Sequence, residues 1–290
     1  MAAADELLDT GSLTLLELAL AEDIGSGDIT TRATIPAERQ ATGRLLVKGA
    51  GVLSGMPVVR AVYARVDARV VVEQLVADGA ALAPGTIVAT LAGPARALLT
   101  GERVALNFLQ RLSGVATVTA AYVAAVAGTR ARIIDTRKTT PGLRVLQKQA
   151  IRDGGGHNHR LGLADGVLIK DNHLAAIGGA ERVTRALRAA REAAPHTLKI
   201  EVEVTTLAEL DEALAAGADI ILLDNMDPPL LAQAVRQTQG RALLEASGGI
   251  TLATIRAVAE TGVDLISVGA LTHSAPALDI SLEFDLEPTP

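Results

Sequence analysis

The chain has no cysteine. Disulfides, thiolate metal sites and a cysteine nucleophile are therefore excluded, and a reducing compartment suits it, so the expected location is cytoplasmic. Tryptophan is absent, and the aromatic residues are Tyr63, Tyr122, Phe108 and Phe284. The core must then be built from Val, Leu, Ile and Ala. Stacking of bases on aromatic platforms is nearly excluded, which argues against single-stranded nucleic acid as a partner. The opening Met-Ala-Ala-Ala-Asp-Glu carries acids where a signal peptide needs a basic region, so no targeting segment is read there. Leu112–Thr129 is uncharged over 18 residues, but it is mostly Ala, Gly, Ser and Thr. It has little of the Leu, Ile and Phe that drive insertion, so it reads as a buried or half-buried helix and no membrane is expected.

What is present is 290 residues with 49% hydrophobic and 21% charged side chains, enough for one large or two ordinary domains. The net charge is −6, yet it is unevenly spread. Between Arg130 and His173 stand six Arg and three Lys against Asp135, Asp153, Asp165 and Asp171, together with His157, His159 and His173. A cationic island in an acidic protein points to a pocket for small anions. A nucleic-acid surface would spread its positive charge over a whole face.

Leu13, Leu16 and Leu20 have helical spacing, and Glu22–Asp28 is expected to break that helix. Those acids are read with even weight as a solvated loop or as neighbours of a site. Residues 41–92 contain short β-branched runs, Arg44–Val47, Arg69–Val76 and Thr86–Leu91, separated by Gly and Pro turns. A long helix follows, with Thr100 as a candidate N-cap and Gly114 as a candidate interruption. From Arg132 onward strand, polar loop and helix repeat. Six apolar runs are predicted strands: Arg132–Asp135, Gly166–Lys170, Lys199–Val204, Asp219–Asp224, Ala242–Ser247 and Asp264–Gly269. Thr206 and Glu209 form a capping box before Gly217; Asp227-Pro228 opens another helix, and Thr251–Thr261 reads as a third. Continuous hydrophobic strands alternating with helices predict a parallel sheet covered by helices, as an open (β/α) barrel or, as the alternative, a doubly wound sheet.

In both architectures ligands bind at the carboxyl ends of the strands. Those ends read Asp135/Arg137/Lys138, Lys170/Asn172/His173, Glu201/Glu203, Asp224/Asn225, Ser247/Gly248/Gly249 and Gly269/Ala270. Glu201 and Glu203 alternate along one strand and share a face. Glu203 and Asp224 suit an oxygen-ligated Mg²⁺; the alternative is a salt bridge to Lys170 or Lys199. Ser247-Gly248-Gly249 and Gly269 are candidate phosphate loops. His157-Asn158-His159 beside Arg160 reads as an anion cradle, since no third zinc ligand suggests itself.

Together these stretches resemble the quinolinate phosphoribosyltransferase family over nearly the whole chain. The likeness rests on Glu22–Thr31, Glu102–Asn107, Leu112–Thr117, Asp135–Gly142, Gly154–Arg160, Leu168–His173, Glu201–Val204, Leu223–Asn225, Ser247–Gly249 and Gly269–His273. The resemblance implies an α/β fold, with an N-terminal α/β sandwich of residues 1–113 joined by 271–290, and an open barrel of residues 114–270. It implies a homodimer with shared sites, open to higher assembly. It implies quinolinate and phosphoribosyl pyrophosphate as substrates, nicotinate mononucleotide, pyrophosphate and CO₂ as products, and Mg²⁺ as cofactor. Carried over residue by residue, Arg103 would reach the neighbouring subunit's site, and Arg137, His159 and Arg160 would hold the quinolinate carboxylates. Lys138 and Lys170 would face substrate, Glu203 and Asp224 would lie near ribose and Mg²⁺, and Ser247, Gly248 and Gly269 would cradle the 5′-phosphate. The competing readings are a Schiff-base lyase with Lys170 as nucleophile, a barrel that binds but no longer catalyses, and a related branch linked to molybdate transport.

Overall fold

Pairing of the predicted runs into sheets divides the chain into two compact units. The computed structural model describes residues 8–284. The reading of the first six residues, and the last part of the predicted chain-end segment, lie outside the described residues. The first unit comprises the described parts of Met1–Ala120 and Leu271–Pro290, with Thr139–Gly155; the second comprises Ala121–Lys138 and Gly156–Ala270. Residues 139–155 therefore group with the first unit, whereas the sequence reading assigned them to the barrel.

In the first unit, β1 (Gln40–Val47), β3 (Val71–Gln74), β5 (Ile87–Pro94) and β12 (Ile280–Phe284) form an antiparallel sheet in the order β12-β1-β5-β3. The short pair β2 (Gly51–Val52) and β4 (Ala81–Leu82) stands apart from it. Leu45, Val47 and Leu91 are wholly buried, so one face of this sheet is core. The N-terminal helix runs Thr10–Ile24 and ends at Gly25, inside the Glu22–Asp28 stretch expected to break it, and Asp28 caps the next helix by accepting from the Thr31 N–H at 2.9 Å. The long helix spans Ala95–Ala125, starting directly after β5 at Ala95 rather than at Thr100. Gly114 does not interrupt it. A Cβ at that position would collide with the Pro276 carbonyl, so glycine is there to let another segment of the same unit pass close by.

The second unit holds β6 (Arg132–Ile134), β7 (Val167–Ile169), β8 (Ile200–Val204), β9 (Ile220–Asp224), β10 (Leu243–Ser247) and β11 (Leu265–Ser267). All six predicted strands are present, each within a residue or two of its expected ends. They form one parallel sheet ordered β6-β11-β10-β9-β8-β7. That order is cyclic with the β6–β7 pairing left out, which is an open barrel and not a doubly wound sheet. The free edge of β6 is taken by the segment after Gly156: Ile134 bridges His157, the His157 N–H donates to the Ile133 carbonyl at 2.9 Å, and the Asp135 N–H donates to the His157 carbonyl at 3.1 Å.

Period-two alternation sorts the strand side chains. Ile200, Val202 and Val204 on β8, Ile221 and Leu223 on β9, and Leu244 and Ala246 on β10 are buried apolar groups on the opposite face from the acids. Each Ile, Val or Leu side chain among them contributes about 1.5–3 kcal/mol by leaving water. Glu201 and Glu203 point the other way, in register with Ile220 and Leu222 of β9; Leu222 is in register with Glu245 of β10. Leu207–Ala215 is capped by Thr206, and Pro228–Thr238 by Asp227, as predicted. The last predicted helix begins later than Thr251, at Ile255, because Thr251 and Thr254 tie the intervening residues into a turn. No helix among the described residues is long and apolar enough to cross a membrane.

Candidate active site

A cavity of about 280 Å³ opens at the carboxyl ends of the strands in the second unit. Arg137 and Lys138 reach it from the segment after β6, His159 and Arg160 from the segment on the free edge of β6, Lys170 from the end of β7, and Ser247 from the end of β10. Six of the predicted site residues thus converge. Glu245 and Ser267 also line the cavity, and the sequence reading passed over both.

The two basic stretches are joined by one buried acid. Asp135 is fully buried and accepts from Asn158 Nδ2 at 2.7 Å and from the His159 N–H at 2.8 Å. Charge-assisted hydrogen bonds of this kind fix the segment that carries His159 and Arg160 beside the strand that leads into Arg137 and Lys138. Arg160 Nη1 donates to the Gly166 carbonyl at 2.8 Å, while its Nε is buried with no hydrogen-bond partner. Burial lowers the Arg160 pKa, and the neighbouring Arg137 charge lowers it further, against Glu201 and Asp165. Two guanidiniums held close together in a desolvated pocket favour an anion between or beside them.

Glu203 accepts an ion pair from Lys170 Nζ at 3.4 Å. That is the salt bridge the sequence left open as an alternative to metal. Asp224 ends β9 in register with Ser247, and its Oδ2 accepts from Asn225 Nδ2 at 2.6 Å. The turns after β9 and β10 interlock. The Asn225 N–H donates to the Ser247 carbonyl at 2.9 Å, and a Cβ on Gly248 would overlap the Asn225 side chain. Gly248 also has φ 100° and Asn225 φ 54°. Glycine at 248 is thus demanded by the fold itself, whatever ligand the loop accepts. Gly269 lies two residues past β11. Arg103 belongs to the first unit, on the helix Ala95–Ala125; its side chain is 57% exposed and 3.7 Å from Glu102.

Glu203 and Asp224 supply oxygen donors from neighbouring strands. An incomplete, all-oxygen set suits Mg²⁺, which keeps waters and shares phosphate oxygens with a substrate. A second cluster, His159, Glu201 and Glu245, also has one ligand-type atom from each residue within 4.8 Å of the others. Its hydrogen bonding argues for a proton and not a metal. His159 Nδ1 accepts the Arg160 N–H at 2.7 Å, so a neutral ring carries its proton on Nε2, which faces Glu201 Oε2 at 3.0 Å. Both ring nitrogens are thereby engaged with the protein, whereas the resemblance expected His159 to grip a substrate carboxylate. Glu201 and Glu245 are 3% and 1% exposed. Burial pushes the Glu245 carboxyl well above its usual range, the Glu201 charge adds to this, and Ser267 opposes it. Glu245 is legible in hindsight as an acid inside the apolar run Leu243-Leu244-Glu245-Ala246.

Residues 28–113 match the family description "Quinolinate phosphoribosyl transferase, N-terminal domain", and residues 115–283 match its C-terminal domain. A probable nicotinate-nucleotide pyrophosphorylase (carboxylating) from Bacillus subtilis is 46% identical over 265 residues, covering 91% of this chain and 90% of that protein. A nicotinate-nucleotide pyrophosphorylase (carboxylating) from Mycobacterium leprae is 50% identical over 272 residues, 91% of this chain and 94% of its own length. Among solved structures, the nicotinate-nucleotide pyrophosphorylase from Francisella tularensis superposes with a TM-score of 0.89 at 38% identity, covering 95% of this chain and 96% of that one. NadC from Streptococcus pyogenes gives 0.88 at 45% identity, covering 94% and 96%. With both domains matched in order along the chain, and relatives this similar over nine-tenths of its length, the chain belongs to the quinolinate phosphoribosyl transferase family.

Proposed function

We propose that the chain transfers a phosphoribosyl group from phosphoribosyl pyrophosphate to quinolinate with decarboxylation, yielding nicotinate mononucleotide, pyrophosphate and CO₂ in NAD biosynthesis. The observation that carries this reading is the cavity itself. Arg137, Lys138, Arg160 and Lys170 converge on about 280 Å³, and Arg160 Nε is buried with no acceptor. That is the right size and charge for a small aromatic dicarboxylate, which planar guanidiniums grip bidentately.

In this reading Arg137 and Arg160 hold the two carboxylates, with His159 bracing Arg160 from below. The pyridine nitrogen forms a bond to ribose C1′ as the C1′–oxygen bond breaks, and pyrophosphate departs with the electron pair. Positive charge develops on the ribosyl ring as that bond loosens. Glu203 and Asp224, at the ends of neighbouring strands, stabilise it because their charge is oriented in advance. The pyridinium then accepts the electrons of the breaking C2–carboxylate bond, CO₂ leaves, and C2 takes up a proton. Lys138 and Lys170 offset negative charge on that side of the ring. Glu203 and Asp224 would hold Mg²⁺, which when bound neutralises charge on the departing pyrophosphate. Ser247, Gly248 and Gly269 cradle the 5′-phosphate. The proposal includes a homodimer in which Arg103, half exposed on its helix, completes the neighbouring subunit's site, and a cytoplasmic location.

The Schiff-base reading has less support, since a carboxylate oxygen of Glu203 lies 3.4 Å from Lys170 Nζ and the surroundings are not apolar. The test is formation of nicotinate mononucleotide from the two substrates, alongside calorimetry with quinolinate. Arg160→Ala should lower quinolinate affinity by at least about 100-fold, from the loss of charge-assisted bonds, with circular dichroism unchanged. Absence of product with wild-type protein, or unchanged quinolinate binding by the variant, would overturn the assignment.

A further inference from the structure

Beneath the cationic cavity lies a second chamber of about 490 Å³ at the other end of the strands, and His159, Arg160 and Glu245 border both. The partition between them is the cluster of His159, Glu201 and Glu245. None of the substrate chemistry described above uses the two glutamates. They are buried acids on β8 and β10, pointing into the same interior, with His159 Nε2 at 3.0 Å from Glu201 Oε2 and 3.7 Å from Glu245 Oε2.

The protons in this cluster can be counted. His159 Nε2–H is one donor. Two ionised carboxylates would add none, and Glu201 Oε1 is buried with no hydrogen-bond partner. Two adjacent negative charges out of water would also repel strongly. One proton on the pair removes both problems. Glu245 is the member whose carboxyl is driven up by burial and by Glu201, against a hydrogen bond with the Ser267 hydroxyl. The Lys170 charge opposes this rise but does not overcome it.

We propose that Glu245 is a positioning residue for the quinolinate site: protonated, it donates to Glu201, keeps the Glu201 carboxylate aligned on His159 Nε2–H, and through His159 Nδ1 sets the backbone of Arg160. A neutral acid at this position also leaves the floor of a dicarboxylate site without a further negative charge. The inference deepens the function proposed above and rests on it for its kinetic readout, but not for its spectroscopic one.

The experiment uses full-length protein with Glu245→Gln, which keeps a neutral donor, and Glu245→Met, which keeps the straight chain and removes the donor. Nitrogen-15 correlation spectra of histidine at pH 7, without substrate, should show His159 as the Nε2–H tautomer in wild type and Glu245→Gln. In steady-state assays Glu245→Gln should keep KM for quinolinate within about threefold, and Glu245→Met should raise it by at least about tenfold, with KM for phosphoribosyl pyrophosphate within about twofold for both. Gln behaving like Met would show that the charge of Glu245 matters and not its proton, and would overturn the proposal. So would an Nδ1–H tautomer or an imidazolium in wild type, a result that stands even if Glu245→Met does not fold. Absence of any turnover by wild type would instead count against the proposed reaction and leave the tautomer result intact.

Discussion

Asp135 shows how one side chain can decide whether a site exists. Its two oxygens satisfy Asn158 and the His159 N–H, so the basic segment after Gly156 is held against β6. Asp135→Ala would leave a buried N–H without an acceptor and cost about 1–3 kcal/mol of stability. Urea denaturation should show that loss, and calorimetry should show weaker quinolinate binding although Asp135 is itself buried behind the cavity; unchanged affinity would mean that the segment is held by other means. At this scale the sequence was informative about charge and silent about hydrogen bonding. Arg137, Lys138, Arg160 and Lys170 stood out because a cationic island is visible in one dimension. Glu245 did not, because its importance comes from meeting Glu201 and His159 in the barrel interior, and only the folded sheet brings those three together.

At the scale of elements, hydrophobic period and turn chemistry carried most of the strand and helix positions. The Thr206 and Asp227 caps and the six parallel strands were readable because each depends on neighbours in sequence. The errors came where packing overrode local preference. Gly114 has the worst helix propensity short of proline, yet the helix Ala95–Ala125 runs through it because Pro276 crosses there. Alanine would gain about 1 kcal/mol in propensity, but the overlap with the Pro276 carbonyl forces backbone shifts that cost about 1–3 kcal/mol or more. Gly114→Ala should therefore lower the thermal midpoint. A higher midpoint would mean that the crossing segment yields easily.

For the whole molecule, the proposed shared site makes a prediction that no single chain can satisfy. Arg103→Ala and Lys170→Ala subunits, each inactive alone, should regain about a quarter of wild-type activity when mixed and allowed to exchange, since half of the dimers are then hybrids with one intact site of two. Absence of recovery, with exchange verified by mass, would argue for self-contained sites.

The amino-acid order by itself determined the alternation of strand and helix, the excess of positive charge in the middle third, and the likeness to a family of phosphoribosyl transferases. Those features are local or additive, so they survive being read along a line. Tertiary structure alone decided that the sheet is an open barrel with β6 and β7 at its edges, that the segment after Gly156 lies along β6, and that Glu201 and Glu245 meet at His159. Closure, register and the sharing of a proton depend on which residues become neighbours after folding, and residues distant in sequence carry no mark of that.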